Sequence, residues 1–299
     1  MLQSKQHVIE RAGRYGISLR EEPMKWNESG LDFQVVFATD VQGKEWVLRI
    51  PRREDVLSTA QQEKKILDLV VPRLPIQAPV WEIFNKELIA YKRLNGVPAG
   101  TIDPEARAYV WEIDADNVPE KFHETLGSAL AALHRIPHEE ARQAGVSVET
   151  AAQVRQSMKE RIELVKTNFG VDEALWKRWM AWLHKDELWP EETGLIHGDL
   201  HAGHILIGEE ARVIGLIDWT EAKVSDVAND FVGHYRTFGS SALKDLIDSY
   251  ARAGGIVWPG MYEHVIELAA AYPVSIAEFA MKSGLKEYEE MAKQVLGVK

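Results

Sequence analysis

The sequence predicts an α+β chain in two lobes, a mainly β segment over residues 1–95 and a mainly helical one over 96–299. Three observations predict it. Period-two apolar alternation marks residues 32–50, helical spacing marks the chain beyond residue 120, and the turn-forming run "NGVPAG" (95–100) lies between them. In "DFQVVFATD", Phe33, Val35 and Phe37 share one face; in "WVLRI", Trp46, Leu48 and Ile50 do the same, and "DVQGK" supplies the hairpin turn. "REDVLSTAQQEKKILDLV" then reads as a helix with Val56, Ile66 and Leu69 turned inward. Three prolines precede a short strand near Val80–Phe84, and "ELIAYKRL" reads as a further strand leading out of the first lobe. Beyond the break, Leu126, Leu130 and Leu133 fall at i, i+4 and i+7 of a helix, and further helices are expected over 149–168 and 172–188. "GLIHGDLHAGHILIGEEARVIGLIDW" interrupts them with two short apolar strands before residues 226–299 return to helices.

Composition narrows the function. The chain has 299 residues, enough for a sizeable core, with 45% hydrophobic and 27% charged residues. It has no cysteine, which excludes disulfides, thiolate nucleophiles and thiolate metal ligands. A net charge of −11 opposes nucleic-acid binding, which needs clustered Lys and Arg; it would suit a cationic substrate, but solubility is the simpler reading of the acidity. No apolar run reaches the roughly 18 residues of a membrane span, and "MLQSKQHVIERAGRYG" lacks the apolar core of a signal peptide. A cytoplasmic protein without membrane or nucleic-acid partners, acting as a monomer, is the expectation. Ten tryptophans include Trp176, Trp179 and Trp182 along roughly one helix face, where core packing is the simpler reading than a ligand wall.

Chemistry concentrates in "IHGDLHAGHILI" (196–207). Asp199 is followed five residues later by His204, and "VIGLIDW" ends a buried-strand pattern on Asp218, nineteen residues after Asp199. Two acidic groups at the ends of short strands can face one cavity. The first lobe adds Gly30 in a turn, Arg49 on the second hairpin strand and Glu63 on the following helix. Phosphoryl transfer requires this kind of set: a carboxylate to take the acceptor's proton, ligands for a divalent cation, and a braced cation for phosphates. Asp199, the pair His204 and Asp218, and the pair Arg49 and Glu63 can fill those roles. A zinc site of His197, His201 and His204 is the competing reading; Gly198 and Gly203 break the helix that would align them, and the acidic residues suit Mg²⁺ better.

These residues carry a resemblance. "HGDLHAGHIL…IDW", "LGSALAALHRIP" (126–137) and "DWTEAKVSDVANDF" resemble the loops and signature helix of the aminoglycoside-phosphotransferase-like kinases, and the similarity covers nearly the whole chain. Within that family the chain looks most like the macrolide 2′-phosphotransferases, which share His at the position of His204, the run "IDWTEAKVSD" and a strand like "WVLRIPRR". The resemblance implies a bilobal, protein-kinase-like fold, with residues 1–95 as the nucleotide lobe and 96–299 carrying the catalytic loop and acceptor cleft. It implies Mg²⁺ as cofactor and transfer of the γ-phosphate of GTP, with ATP possible, to the 2′-hydroxyl of the macrolide's desosamine.

By the same resemblance, the nucleobase meets the backbone of the linking strand at Ala90, Tyr91 and Leu94, and His197 stabilises the catalytic loop. His201, Asp230, Tyr235, Tyr272 and Phe279 are candidates for the acceptor cleft; family equivalents of Asp226 and Asp230 also brace the loop. His134 reads as a packed structural histidine. Arg49 stands where most kinases have Lys and keeps the charge with a fork for phosphate oxygens. His204 either ligates Mg²⁺ through its ring nitrogen or through a water, with Asp218 as main anchor.

Two alternatives remain. One is a kinase of the same fold for an aminoglycoside, a choline-like amine or another small alcohol, whose cleft would need many carboxylates; "VWPGMYEHVIELAAAYPVSIAEFAM" is richer in apolar groups. The other, a non-catalytic nucleotide-binding scaffold, sits poorly with intact Asp199 and Asp218. No Walker-type phosphate loop occurs.

Overall fold

The structure, a computed structural model, describes residues 4–27, 32–53, 55–103, 106 and 108–298. It begins with a helix the sequence reading did not anticipate, α1 (Lys5–Arg14), capped by Ser4. The strands β1 (Leu19–Asn27), β2 (Phe33–Asp40) and β3 (Glu45–Pro51) follow, then α2 (Val56–Val70), β4 (Trp81–Phe84) and β5 (Ile89–Lys92). These strands form one antiparallel sheet in the order β1-β2-β3-β5-β4.

Period-two alternation decides what each face meets. Val36, Leu48, Ile50 and Ala90 pack with Val8 and Ala12 of α1, while Phe33, Val47 and Tyr91 pack with Ala60, Ile66 and Leu67 of α2. Arg49, flanked by Leu48 and Ile50, must therefore point toward α2. There Glu63 lies on the buried stripe with Ala60, Ile66 and Leu67, and is itself only 1% exposed.

The break at "NGVPAG" does not lead straight into helices. It contains β6 (Val97–Pro98) and opens a hairpin of β7 (Gly100–Asp103) and β8 (Ala108–Trp111). This departs from the expected immediate change to helix, because Ala-Tyr-Val-Trp alternates between the hairpin's two faces. Helices begin with α3 (Glu120–His134), α4 (His138–Gln143), α5 (Ala151–Phe169) and α6 (Glu173–Leu183). The last is shorter than the expected 172–188: the chain turns at His184 and adds only a short 3-10 turn at Asp186–Leu188. Trp179 and Trp182 are fully buried, and Trp182 stacks on Trp189 at 4.7 Å, so the tryptophan run is core.

The segment expected to hold two strands holds β9 (Gly194–Ile196), β10 (Ile205–Ile207) and β11 (Val213–Leu216), followed by β12 (Lys223–Ser225). β12 pairs with β9, and β10 lies between β11 and β6. A second stitch ties the first half of the chain to β11: the Gln77 N–H donates to the Ile214 carbonyl at 2.8 Å, and the Leu216 N–H to the Gln77 carbonyl at 2.9 Å. The chain ends in α7 (Asn229–Arg252), α8 (Met261–Ala270), α9 (Tyr272–Ser283) and α10 (Lys286–Leu296). No helix among the described residues is long and apolar enough to cross a membrane.

Candidate active site

The loop between β9 and β10 is held from below by α7. Asp230, in the first turn of that helix, is fully buried. Its carboxylate accepts the backbone N–H groups of His197 (2.8 Å) and Gly198 (2.9 Å) and bonds the His134 ring at 3.1 Å. Burial alone would raise the Asp230 carboxyl, but the His134 hydrogen bond and neighbouring charge hold it below its usual range. The expectation of Asp230 in the acceptor cleft is thereby corrected: two of its hydrogen bonds hold the loop backbone, the third goes to His134 of α3, and its side chain is fully buried. His134 is the packed structural histidine expected, also bonded to the Tyr250 hydroxyl at 2.8 Å.

His197 is likewise sealed. Its Nε2–H donates to the Ile217 carbonyl at 3.0 Å and its Nδ1 faces the Asp199 N–H at 3.4 Å; burial depresses its pKa. With both ring nitrogens committed, a three-histidine zinc site has lost its first ligand.

Two glycines let the loop sit where it does. Gly198 adopts φ +85°, and a Cβ there would strike the Glu221 carbonyl oxygen. A Cβ on Gly233 of α7 would strike the Leu200 carbonyl oxygen, so the helix backbone presses directly on the loop.

Above this floor, Asp199, His204 and Asp218 converge. The His204 Nδ1–H donates to the Asp199 backbone carbonyl at 2.9 Å, which fixes the ring and turns Nε2 to the site. That nitrogen faces Asp218 Oδ2 at 3.8 Å, while His204 Nδ1 lies 3.6 Å from Asp199 Oδ2. A ring nitrogen and a carboxylate oxygen facing each other can share a cation when the ring is neutral, and a hydrogen bond at the other ring nitrogen is how ligating histidines are oriented. Asp218 has φ +65°, a left-handed backbone that Asp tolerates better than most residues. Burial opposes its charge, yet the 2.7 Å hydrogen bond from the Thr220 hydroxyl, with His204 and Arg49 nearby, keeps its carboxyl below the ordinary range. His201 caps the short turn Ala202–His204 by accepting the Gly203 N–H at 3.1 Å, and its ring lies 3.9 Å from that of His204. Burial first, and then His204, depress its pKa.

The first lobe completes the set. Arg49 Nη1 donates to both Glu63 oxygens at 2.8 Å, and the pair lies within electrostatic range of Asp218. Burial disfavours charge on Arg49, but Glu63 and Asp218 hold the guanidinium firmly protonated. Tyr91 reaches this cluster with its side chain, and burial pushes its hydroxyl up to about 12. The expectation that Ala90 and Tyr91 offer their backbones to a base is corrected. Both lie inside β5, paired to β3 on one side and β4 on the other, so the ladder takes up their polar groups. Leu94 lies past the end of that strand. Gly30 falls outside the described residues.

The remaining cleft candidates diverge. Tyr272 is 41% exposed and lies beneath the Arg236 guanidinium at 3.6 Å. Tyr235 is half-buried and packs against the core. Phe279 meets Tyr288 edge-on at 4.7 Å, toward α10. Two residues that sequence reasoning missed stand closer: Tyr109 lies within electrostatic range of Asp199, Arg236 and Tyr272, and stacks on Trp111 at 4.6 Å. Tyr109 belongs to a hairpin strand in a stretch expected to turn to helix, and no charge or spacing distinguished Arg236 on its helix.

The arrangement is therefore a loop carboxylate, a nitrogen–carboxylate pair suited to a divalent cation, and a buried guanidinium beside them. Comparison with known proteins agrees. The macrolide 2′-phosphotransferase MphH of Brachybacterium faecium, as apoenzyme, superposes with a TM-score of 0.92 at 35% identity, covering 97% of each chain. A macrolide 2′-phosphotransferase of type I gives 0.89 at 39% identity, over 97% of this chain and 96% of the other. The GDP complex of an aminoglycoside 2′-phosphotransferase, at 20% identity and a TM-score of 0.77, shares the fold over 99% of this chain and 98% of its own. In sequence, the chain is 43% identical over 300 residues to the uncharacterized protein YcbJ of Bacillus subtilis (strain 168), covering 99% of this chain and 98% of that protein. The model of the phosphotransferase enzyme family matches residues 25–264, a span that holds Arg49, Glu63, Asp199, His204 and Asp218. With its protein-kinase-like fold built around that set, the chain belongs to the phosphotransferase enzyme family, kinase-type enzymes that phosphorylate a hydroxyl group.

Proposed function

We propose that the protein inactivates macrolide antibiotics by transferring the γ-phosphate of GTP to the 2′-hydroxyl of their desosamine sugar. The observation that carries this reading is full-length similarity, at 35% and 39% identity, to two macrolide 2′-phosphotransferases, against 15–20% for aminoglycoside enzymes of the same fold. Asp199 accepts the proton of the acceptor hydroxyl as its oxygen bonds phosphorus and the bond to the β-phosphate oxygen breaks, releasing GDP. Arg49, braced by Glu63, holds phosphate oxygens. His204 and Asp218 would hold Mg²⁺, which when bound would supply charge neutralisation at the phosphates. Residues 1–95 form the nucleotide lobe and 96–299 the acceptor lobe, and the enzyme acts as a cytoplasmic monomer.

The test is incubation of the purified protein with Mg²⁺, GTP or ATP, and either a 14-membered macrolide or an aminoglycoside, with products read by mass spectrometry. A macrolide product gaining one phosphate, formed faster with GTP, supports the reading. Phosphorylation of the aminoglycoside alone, or of neither, overturns the acceptor assignment.

A further inference from the structure

The loop that carries Asp199 also holds a polar hydrogen that no protein group uses. His201 lies two residues beyond Asp199, and its Nδ1 accepts the Gly203 backbone N–H at 3.1 Å. A backbone amide can only donate, so Nδ1 carries no proton. The ring is therefore neutral, and its one proton sits on Nε2. Among the described residues no group accepts that hydrogen, and the nitrogen is not one of the polar atoms sealed from solvent. The ring is also held in place. It lies 3.9 Å from the His204 ring, and a Cβ on residue 203 would come within 2.8 Å of its Cε1, so glycine there makes room for it. A carboxylate oxygen of Asp199 and one ring nitrogen each of His201 and His204 lie within 4.8 Å of one another. The trio is not a metal site of its own, because neither His201 nitrogen has a free lone pair: one accepts from Gly203 and the other holds the proton. His201 thus borders both Asp199 and His204 as a hydrogen-bond donor.

Resting on Asp199 as the proton acceptor, we infer that His201 is a second catalytic group, whose Nε2–H donates a hydrogen bond to an oxygen of the phosphoryl group in flight. That group leaves the β-phosphate oxygen and bonds the acceptor oxygen while the acceptor proton passes to Asp199. Midway, negative charge is spread over its three equatorial oxygens. His201 supplies a donor for that charge from the loop side and keeps its own proton throughout. A donor without charge suits this place. A lysine or arginine two residues from Asp199 would pair with its carboxylate and lower its basicity. A neutral imidazole N–H leaves the carboxylate free for the acceptor proton.

Two substitutions separate donation from the support His201 gives its turn. In His201→Asn the side-chain oxygen can still accept the N–H two residues on, but the amide is too short to reach the place of Nε2. In His201→Gln an amide N–H falls near that place, and the acceptor for Gly203 is lost. The full chain and both variants, shown to be folded by thermal melts, are compared with GTP, Mg²⁺ and a 14-membered macrolide. The expected result is a fall in kcat of about 10²-fold in His201→Asn, with KM for GTP and macrolide little changed, and recovery of most of the rate in His201→Gln. Full activity in His201→Asn, or equal loss in both variants, overturns the assignment. A second measurement needs no turnover: GDP and Mg²⁺ are titrated by calorimetry with and without aluminium fluoride, which stands in for the phosphoryl group. Fluoride should tighten GDP binding about tenfold or more in the unaltered protein and His201→Gln, and far less in His201→Asn. Equal tightening in all three, or none in any, overturns the assignment. If no macrolide is phosphorylated, the macrolide reading fails and this titration alone decides the role of His201.

Discussion

At the scale of single residues, what distinguishes Asp199 is that its loop is held by other groups and its own carboxylate is half-exposed. Its side chain is 53% exposed, whereas Asp230 and His197 beneath it are sealed. Asp199→Asn removes the proposed proton acceptor without removing a support. Its kcat should fall by about 10²–10⁴-fold with nucleotide affinity little changed, as read by phosphate-product mass spectrometry and nucleotide titration. The Arg49–Glu63 pair behaves in the opposite way. Neither side chain is more than 12% exposed, so Glu63→Gln strands a buried guanidinium and should cost about 3–5 kcal/mol in urea denaturation. Replacing both, as Arg49→Met with Glu63→Leu, should recover most of that stability and none of the activity. Stability and phosphate binding are separable here because an apolar pair can fill the space but cannot carry the charge.

At the scale of elements, α7 organises the loop. Asp230 supplies the hydrogen-bond acceptor, and three residues further on Gly233 lets the helix touch the Leu200 carbonyl. Gly233→Ala should push the loop away and lower kcat by on the order of tenfold to a hundredfold, with a smaller effect on the melting temperature; steady-state kinetics beside a thermal melt separates the two. The sequence made some of this legible and hid the rest. Asp199, Asp218, Arg49 and Glu63 could be placed because each stands out against an apolar pattern whose period fixes where it points. Asp230 and Tyr91 could not be placed correctly, since whether a polar side chain faces a cleft or a buried backbone depends on long-range packing that local period does not encode. The hairpin β7–β8 was missed because four-residue strands beside Gly and Pro look like the break between lobes.

For the whole molecule, the many buried histidines set a pH window. Burial, then the neighbouring His123, depress His234 to about 3, and burial depresses His123 and His197 as well. A histidine whose folded pKa is lowered binds its proton in the unfolded chain first, near the usual 6.5. The stability it contributes is whole above that value and is lost as pH falls from about 6.5 toward 3. Chemical denaturation at pH 7, 6 and 5 should therefore show a falling midpoint, and His234→Leu should flatten the slope. The two-lobed architecture was readable from composition and period; the stitches across it were not, because Val97–Pro98 and Gln77 lie in stretches with no strand signal of their own. Those stitches bear on how nucleotide leaves. With β6 zipped to β10 and Gln77 clamped on both sides by β11, the segments flanking β4–β5 are fastened to the strands that carry Asp218. A door hung on such a frame cannot swing at its base. Exchange of spent for fresh nucleotide is therefore expected to depend on flexing of the outer strands β1–β3, with the frame around Asp218 keeping its shape from one turnover to the next.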